Sequence, residues 1–306
     1  MRRTLRRMTV AALCLLTLLC SAGVCAVQAA PDAARRCTLT LEYSYEGTPF
    51  ADVAVAVYRV AEVNPDGTYD LIPPYDGYPV SIHGITAQQE WRDVAATLTA
   101  YVTADGATPT AEGITDDAGE VTLTDLPVGL YLVRDTRAEN ETGDYVFREF
   151  MIYLPTPTED GTYTYDLRAK PKCEQYTPAE TYRVVKLWKD SGSVIRPDEV
   201  AVDIYKNGAH HETVTLNADN GWSYEWTDRD AAQWQVTERD VPEGYQVAVT
   251  RREWVFTITN TNPSPPPDSP QTGDSASVLL WVTVACLSGF ALIWIGLWGQ
   301  RNEKTK

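Results

Sequence analysis

The chain is 306 residues long, room for about two domains, and its 42 acidic residues against 26 basic ones give a formal charge of −16. That balance excludes nucleic acid as a partner, because phosphate binding needs a basic face; solubility and mutual repulsion between surface proteins account for it. Of the six cysteines, Cys14, Cys20 and Cys25 fall in an N-terminal apolar segment and Cys286 in a C-terminal one, which leaves Cys37 and Cys173, compatible with one disulfide.

Arg2, Arg3, Arg6 and Arg7 precede an apolar stretch from about Val10 to Cys20, and small residues follow through Ala22, Gly23, Ala26 and Ala29. This is the pattern of a secretory signal peptide, residues 1–29, with cleavage after Ala29 at Val27-Gln28-Ala29. From Cys37 the pattern turns to β. Cys37, Leu39, Leu41 and Tyr43 alternate with Thr38, Thr40 and Glu42, which predicts a half-buried strand. A second strand is expected from about Ala51 to Glu62. One helix interrupts the series: Thr86 with Gln89 three residues on reads as a capping box. Trp91, Val94, Ala95, Leu98, Tyr101 and Val102 then recur at helical spacing, a core stripe.

A hairpin turn at Thr115-Asp116-Asp117-Ala118-Gly119-Glu120-Val121 precedes Leu126-Pro127-Val128-Gly129-Leu130-Tyr131-Leu132-Val133, a strand re-entering through Pro-x-Gly. These two stretches resemble the signature of prealbumin-like β-sandwiches in Gram-positive pilins and adhesins. With the preceding helix, residues 36–174 look like the N-terminal domain of a sortase-assembled pilin. A last strand from Tyr163 puts Tyr163, Tyr165, Leu167, Ala169 and Cys173 on one face. In related domains the first and last strands are neighbours tied by a Lys–Asn isopeptide bond. No lysine precedes Lys170 here, so the resemblance implies a Cys37–Cys173 disulfide in its place, the alternative being two free thiols. Polymerising pilins carry a Tyr-Pro-Lys-Asn motif at this end of the domain, whose lysine attacks the next subunit. Lys170-Pro171-Lys172-Cys173 matches it at Pro171 and Lys172, which makes Lys172 the acceptor candidate; a solvated lysine beside a linker is the other reading.

After the short linker 177–180, residues 181–262 return to strands: Val184 to Asp190, Val200 to Tyr205, an Asn207-Gly208 hairpin turn, Trp234 to Glu238 and Phe256 to Thr261. Three polar residues sit on apolar parities. Lys186 alternates with Val184 and Trp188, Glu238 with Trp234 and Val236, and Asn260 with Trp254, Phe256 and Ile258. Buried singly each is costly, so the three are expected to meet and neutralise one another. This segment resembles the collagen-adhesin (Cna) B-type repeat along nearly its whole length. The resemblance implies an isopeptide bond between Lys186 and Asn260 assisted by Glu238, with Asn262 as the alternative partner and an unreacted Lys–Glu ion pair as the alternative state.

Residues 263–270 form a proline-rich stalk of extended polyproline character. Then come Ser269-Pro270-Gln271-Thr272-Gly273, an apolar run from Val278 to Trp298 about 20 residues long, enough to span a bilayer, and Arg301, Lys304 and Lys306. Residues 269–306 resemble the sorting signal of Gram-positive surface proteins, with Ser269 in place of Leu. That implies sortase cleavage between Thr272 and Gly273, the membrane serving only as a precursor anchor, and transfer of Thr272 to cell-wall precursor or a neighbouring pilin. His83, His210 and His211 are the only histidines, and no zinc, calcium-loop, phosphate-loop or Ser/His/Asp pattern stands out. The expected molecule is therefore all-β, two tandem prealbumin- or Ig-like sandwiches, the first with one inserted helix. It needs no metal or cofactor, turns over no substrate, and is held at the cell surface as a pilus subunit or, alternatively, a monomeric adhesin for a host or matrix ligand.

Overall fold

The computed structural model describes residues 31–64, 67–158, 161–177, 181–190, 196–228 and 232–262. The signal peptide, the stalk, Ser269, Pro270, Gln271, Thr272, Gly273 and the apolar run after them lie outside the described residues. Among the described residues no helix is long and apolar enough to cross a membrane.

In residues 37–176 the strands longer than two residues are β1 (Cys37–Glu42), β2 (Ala54–Val63), β3 (Tyr69–Leu71), β4 (Ala111–Ile114), β5 (Glu120–Leu126), β6 (Gly129–Val133), β7 (Thr136–Asn140), β8 (Gly143–Phe147), β9 (Phe150–Leu154), β10 (Asp166–Ala169) and β11 (Cys173–Tyr176), with helix α1 (Gln88–Ala104) between β3 and β4. They pair as β10-β1-β5, as β11-β8-β7 and as β9-β6-β2-β3, with β4 also on β2. The alternation of β1 is realised: Cys37, Leu39, Leu41 and Tyr43 are fully buried. β6 is buried at every position because its sheet is covered twice. Tyr131 and Val133 face the core that includes β1, and Leu130 and Leu132 face the one beneath α1. A strand covered on both faces reads as a continuous apolar run, as Leu130 to Val133 does.

The turn motif before β5 is held by its own side chains. Asp116 Oδ1 accepts the Ala118 and Glu120 amides at 2.9 Å. Thr115 Oγ1 donates to the Phe50 carbonyl at 2.6 Å. Gly119 has φ +74, and a Cβ there would collide with the Tyr43 carbonyl. At Pro-x-Gly the Tyr131 hydroxyl donates to the Pro127 carbonyl at 2.6 Å, pinning the start of β6. The helix begins one residue later than the Thr86 cap would have it. Its N-cap is Ala87, and the Glu90 carboxylate, not Gln89, accepts the Thr86 and Ala87 amides at 2.9 Å each.

The Cys37–Cys173 disulfide is not formed; both thiols are free. The reason is register. β1 and β10 are neighbours but run parallel, with Leu39 opposite Leu167 and Leu41 opposite Ala169. Ala169 thus already lies four residues, about 13 Å, along β1 from Cys37, and Cys173 is beyond it on β11, opposite Phe147 of β8. Parity put both cysteines on apolar faces, but at opposite ends of the pair, and a disulfide tolerates no more than about 7 Å between Cα atoms. Burial raises the pKa of the Cys37 thiol, and burial together with Glu174 pushes Cys173 up to about 11. Alkylation at pH 8 should therefore be slow at both in the native protein and complete at both in denaturant, with gel mobility indifferent to reductant. A reductant-sensitive mobility would show the bridge after all.

In residues 182–261 the strands are β12 (Tyr182–Lys189), β13 (Glu199–Lys206), β14 (Ala209–Asn217), β15 (Ser223–Trp226), β16 (Trp234–Glu238), β17 (Gln246–Arg252) and β18 (Val255–Thr261). Two sheets, β15-β12-β18-β17 and β14-β13-β16, enclose a core that includes Val184, Val202, Leu216, Val236 and Ile258. Asn207 (φ 53) and Gly208 (φ 79) make the tight turn between β13 and β14.

Both sandwiches belong to one compact unit, and α1 is shared between them. Val94, Ala95, Leu98 and Val102 lie in the core of the first. Tyr101 lies in the core of the second. Two more buried positions of the helix, Thr97 and Ala100, meet β17 and β16. Thr97 Oγ1 accepts the Val249 amide at 2.8 Å, and Thr237 Oγ1 donates to the Ala100 carbonyl at 3.3 Å. The Val247 amide donates to the Pro79 carbonyl at 2.7 Å. β17 is an edge strand, and these contacts satisfy outward amides that would otherwise offer a free edge.

Candidate functional site

Lys186, Glu238 and Asn260 come together in the second sandwich. β12 and β18 run parallel, with Lys186 opposite Ile258 and Trp188 opposite Asn260, so Lys186 and Asn260 are diagonal neighbours on the inner face. Glu238, the last residue of β16, faces them from the other sheet, beside Val202 of β13. All three are buried, with 3 %, 0 % and 0 % exposure. Lys186 Nζ lies 3.0 Å from Glu238 Oε2. Asn260 Nδ2 donates to Glu238 Oε1 at 2.9 Å. One carboxyl group thus lies between the two side-chain nitrogens, hydrogen-bonded to Asn260 and in ion-pair contact with Lys186 that lacks hydrogen-bond geometry, and among the described residues the buried Asn260 Oδ1 atom meets no hydrogen-bond donor.

The surroundings are aromatic. The Trp188 ring lies 4.2 Å from Lys186 Nζ, and Trp222 and Tyr245 meet Trp188 edge-on. Desolvation dominates the charge state. It pulls Lys186 down to about 8 even though Glu238 acts to raise it. It raises Glu238, with Lys186 and Asn260 working the other way. Both shifts favour the uncharged pair, because burial penalises the charged forms. An amine and a carboxyl group that are both shifted toward their neutral forms, in contact with a carboxamide away from water, are the reactants of an amide exchange.

The Lys172 side chain is 68 % exposed and lies 2.6 Å from Glu174 Oε1. Lys170 reaches Glu42 at 3.0 Å and the Ser44 hydroxyl. Lys172 lines a cleft of about 760 Å³ between the sandwiches, with Arg148, Tyr176, Arg251 and Trp254 among its other walls. Asn262 lies one residue beyond β18 and is half-buried. His210 and His211 are exposed on β14, and among the described residues no group of metal-binding side chains occurs.

Sequence reasoning missed Tyr101 as a neighbour of this site. Its hydroxyl donates to the Glu238 main-chain carbonyl at 3.4 Å. Tyr101 fits the helical stripe of the first domain, so nothing in the periodicity marks it as belonging to the second core.

Residues 182–261 match the family model of the Cna protein B-type domain. A collagen adhesin of Staphylococcus aureus is 33 % identical over 110 residues, which is 32 % of this chain and 9 % of that protein, so the match spans a small part of the relative. Among solved structures, a single B repeat unit of the collagen-binding surface protein of S. aureus is 15 % identical, with a TM-score of 0.25, over 74 % of this chain and 98 % of that one. A full-length major pilin of Corynebacterium diphtheriae is 14 % identical, with a TM-score of 0.29, over 76 % and 66 %. A minor pilin of Streptococcus agalactiae is 15 % identical, with a TM-score of 0.25, over 76 % and 98 %.

Proposed function

We propose that this chain, whose residues 182–261 are a Cna B-type domain, is a cell-surface pilus subunit that locks its second sandwich with a Lys186–Asn260 isopeptide bond and is joined to its neighbours or to the wall through Thr272. The observation that carries the first part is the Glu238 carboxyl set between two nitrogens, 3.0 Å from one and 2.9 Å from the other. The neutral Lys186 amine attacks Cγ of Asn260. Glu238 takes a proton from Nζ and delivers one to Nδ2, so that the new C–N bond replaces the old one and ammonia leaves. Glu238 ends as it began. The event happens once per chain and is maturation rather than turnover.

The second part rests on the C-terminal constellation: Ser269-Pro270-Gln271-Thr272-Gly273, an apolar run and a basic end. A sortase holds Thr272 as a thioester and passes it to an amine, either of wall precursor or of Lys172 on the next subunit. The 33 % identity to a collagen adhesin favours, as a second reading, a wall-anchored monomer that binds a matrix ligand.

The test is the chain released from cells by wall-digesting enzyme. Its last residue should be Thr272 and its apolar segment should be gone. A chain that keeps residues 278–298 and is extracted by detergent alone would end the proposal.

A further inference from the structure

Glu238 closes β16, an edge strand, and the neighbouring edge of the facing sheet is β17. These two edges form one flank of the second sandwich, since helix α1 contacts both strands. Helix α1 of the first sandwich lies along that flank. Tyr101, 7 % exposed, enters the second core there and reaches the main-chain carbonyl of Glu238 itself. Tyr78, from the same sandwich as Tyr101, packs against it with the rings tilted by 31° and their centroids 5.0 Å apart. One turn before Tyr101, Thr97 grips β17 through the Val249 amide, and Val249 is opposite Ile258, two residues before Asn260. The helix thus touches the strand that carries the acid and the strand beside the one that carries the amide.

We propose that Tyr101 is a positioning residue for the crosslink, and that the bond in the second sandwich closes only once the first sandwich has docked its helix. This rests on the isopeptide reading above. The physical argument has two parts. Bond formation needs Glu238 held between Nζ and Nδ2, and the end of an edge strand frays unless something pins it; the Tyr101 hydroxyl and the Ala100 carbonyl pin Glu238 and Thr237 from the open side. It also needs the three groups dry, since water at the carboxyl would restore its charge, and the Tyr101 ring occupies that flank. Maturation would then proceed in order along the chain, the N-terminal sandwich licensing the covalent closure of the second.

The test uses the full chain, made by cell-free synthesis and chased, with the crosslinked Lys186–Asn260 peptide pair quantified against time. In Tyr101→Ala the bond should form about 100-fold more slowly, the scale expected when reacting groups are displaced by about 1 Å. Tyr101→Phe, which keeps the ring that excludes water and loses the 3.4 Å hydrogen bond, should fall between the two, faster than Tyr101→Ala and slower than the parent. A merely structural role for the hydroxyl would leave Tyr101→Phe crosslinking at the parental rate. If Tyr101→Ala does not fold, Thr97→Val decides, because it loosens the helix from β17 without opening the core; slow crosslinking in it supports the proposal. Parental rates in the folded variant overturn it. A parent chain that never loses ammonia overturns the crosslink and this inference together, whereas a parent that crosslinks alongside an equally fast variant overturns this inference alone.

Discussion

Glu238→Gln should leave the mature chain one ammonia heavier than the parent, with Lys186 and Asn260 recovered as separate peptides after digestion. The substitution keeps the shape of the side chain and its reach to both nitrogens, so it removes the acid without opening a cavity. Lys186→Met, which replaces the amine by an apolar group of similar length, should give the same absence of ammonia loss. The stability consequence follows from the loop that the bond closes. A tie across about 75 residues restricts the unfolded chain by about 4 kcal/mol in the chain-entropy account. At about 2–4 °C per kcal/mol for a chain of this size, the uncrosslinked variants should melt about 8–16 °C lower. A parent with the full sequence mass, or a Glu238→Gln protein that still loses ammonia, would remove the mechanism.

Lys172→Ala should abolish the ladder of very high-mass species on denaturing gels from cells that carry the cognate sortase, leaving a single wall-linked band. Lys170→Ala is the control. Both lysines flank Pro171 and each has a carboxylate partner, Glu42 for Lys170 and Glu174 for Lys172, but Lys172 is the more exposed of the two, 68 % against 49 %, and Lys170 is also held by the Ser44 hydroxyl. The effect is all or none because each junction is a covalent amide that detergent and heat leave intact. A ladder surviving in Lys172→Ala would move the acceptor elsewhere, and the absence of any ladder in the parent would favour the monomeric adhesin.

Period-two patterning made the strands legible. Cys37, Leu39, Leu41 and Tyr43 are all at 0 % exposure, and the three polar intruders on apolar parities, Lys186, Glu238 and Asn260, do meet. A lone charge in an otherwise apolar face is a loud signal because burying it without partners is so unfavourable. What parity cannot carry is position along the strand. Cys37 and Cys173 share the property of facing inward, yet the parallel register of β1 and β10 sets them apart, and that register is visible only in three dimensions. The union of the two sandwiches was silent for a different reason. The helix face that meets β16 and β17 includes Thr97 and Ala100, small or neutral residues that carry no apolar periodicity, although they are buried to 1 %. Short side chains let backbone approach backbone, and such contacts leave almost no mark in hydrophobic patterning.

In the second sandwich the segment that enters the fold and the segment that leaves it, β12 and β18, lie side by side and point the same way, from Arg183 opposite Val255 to Lys189 opposite Thr261. Traction on the two ends of such a pair slides one strand along the other instead of peeling them apart. Every rung of the ladder is then strained at once, and none can break ahead of the rest. A filament built from such modules resists stretching by geometry alone, before any covalent bond is counted.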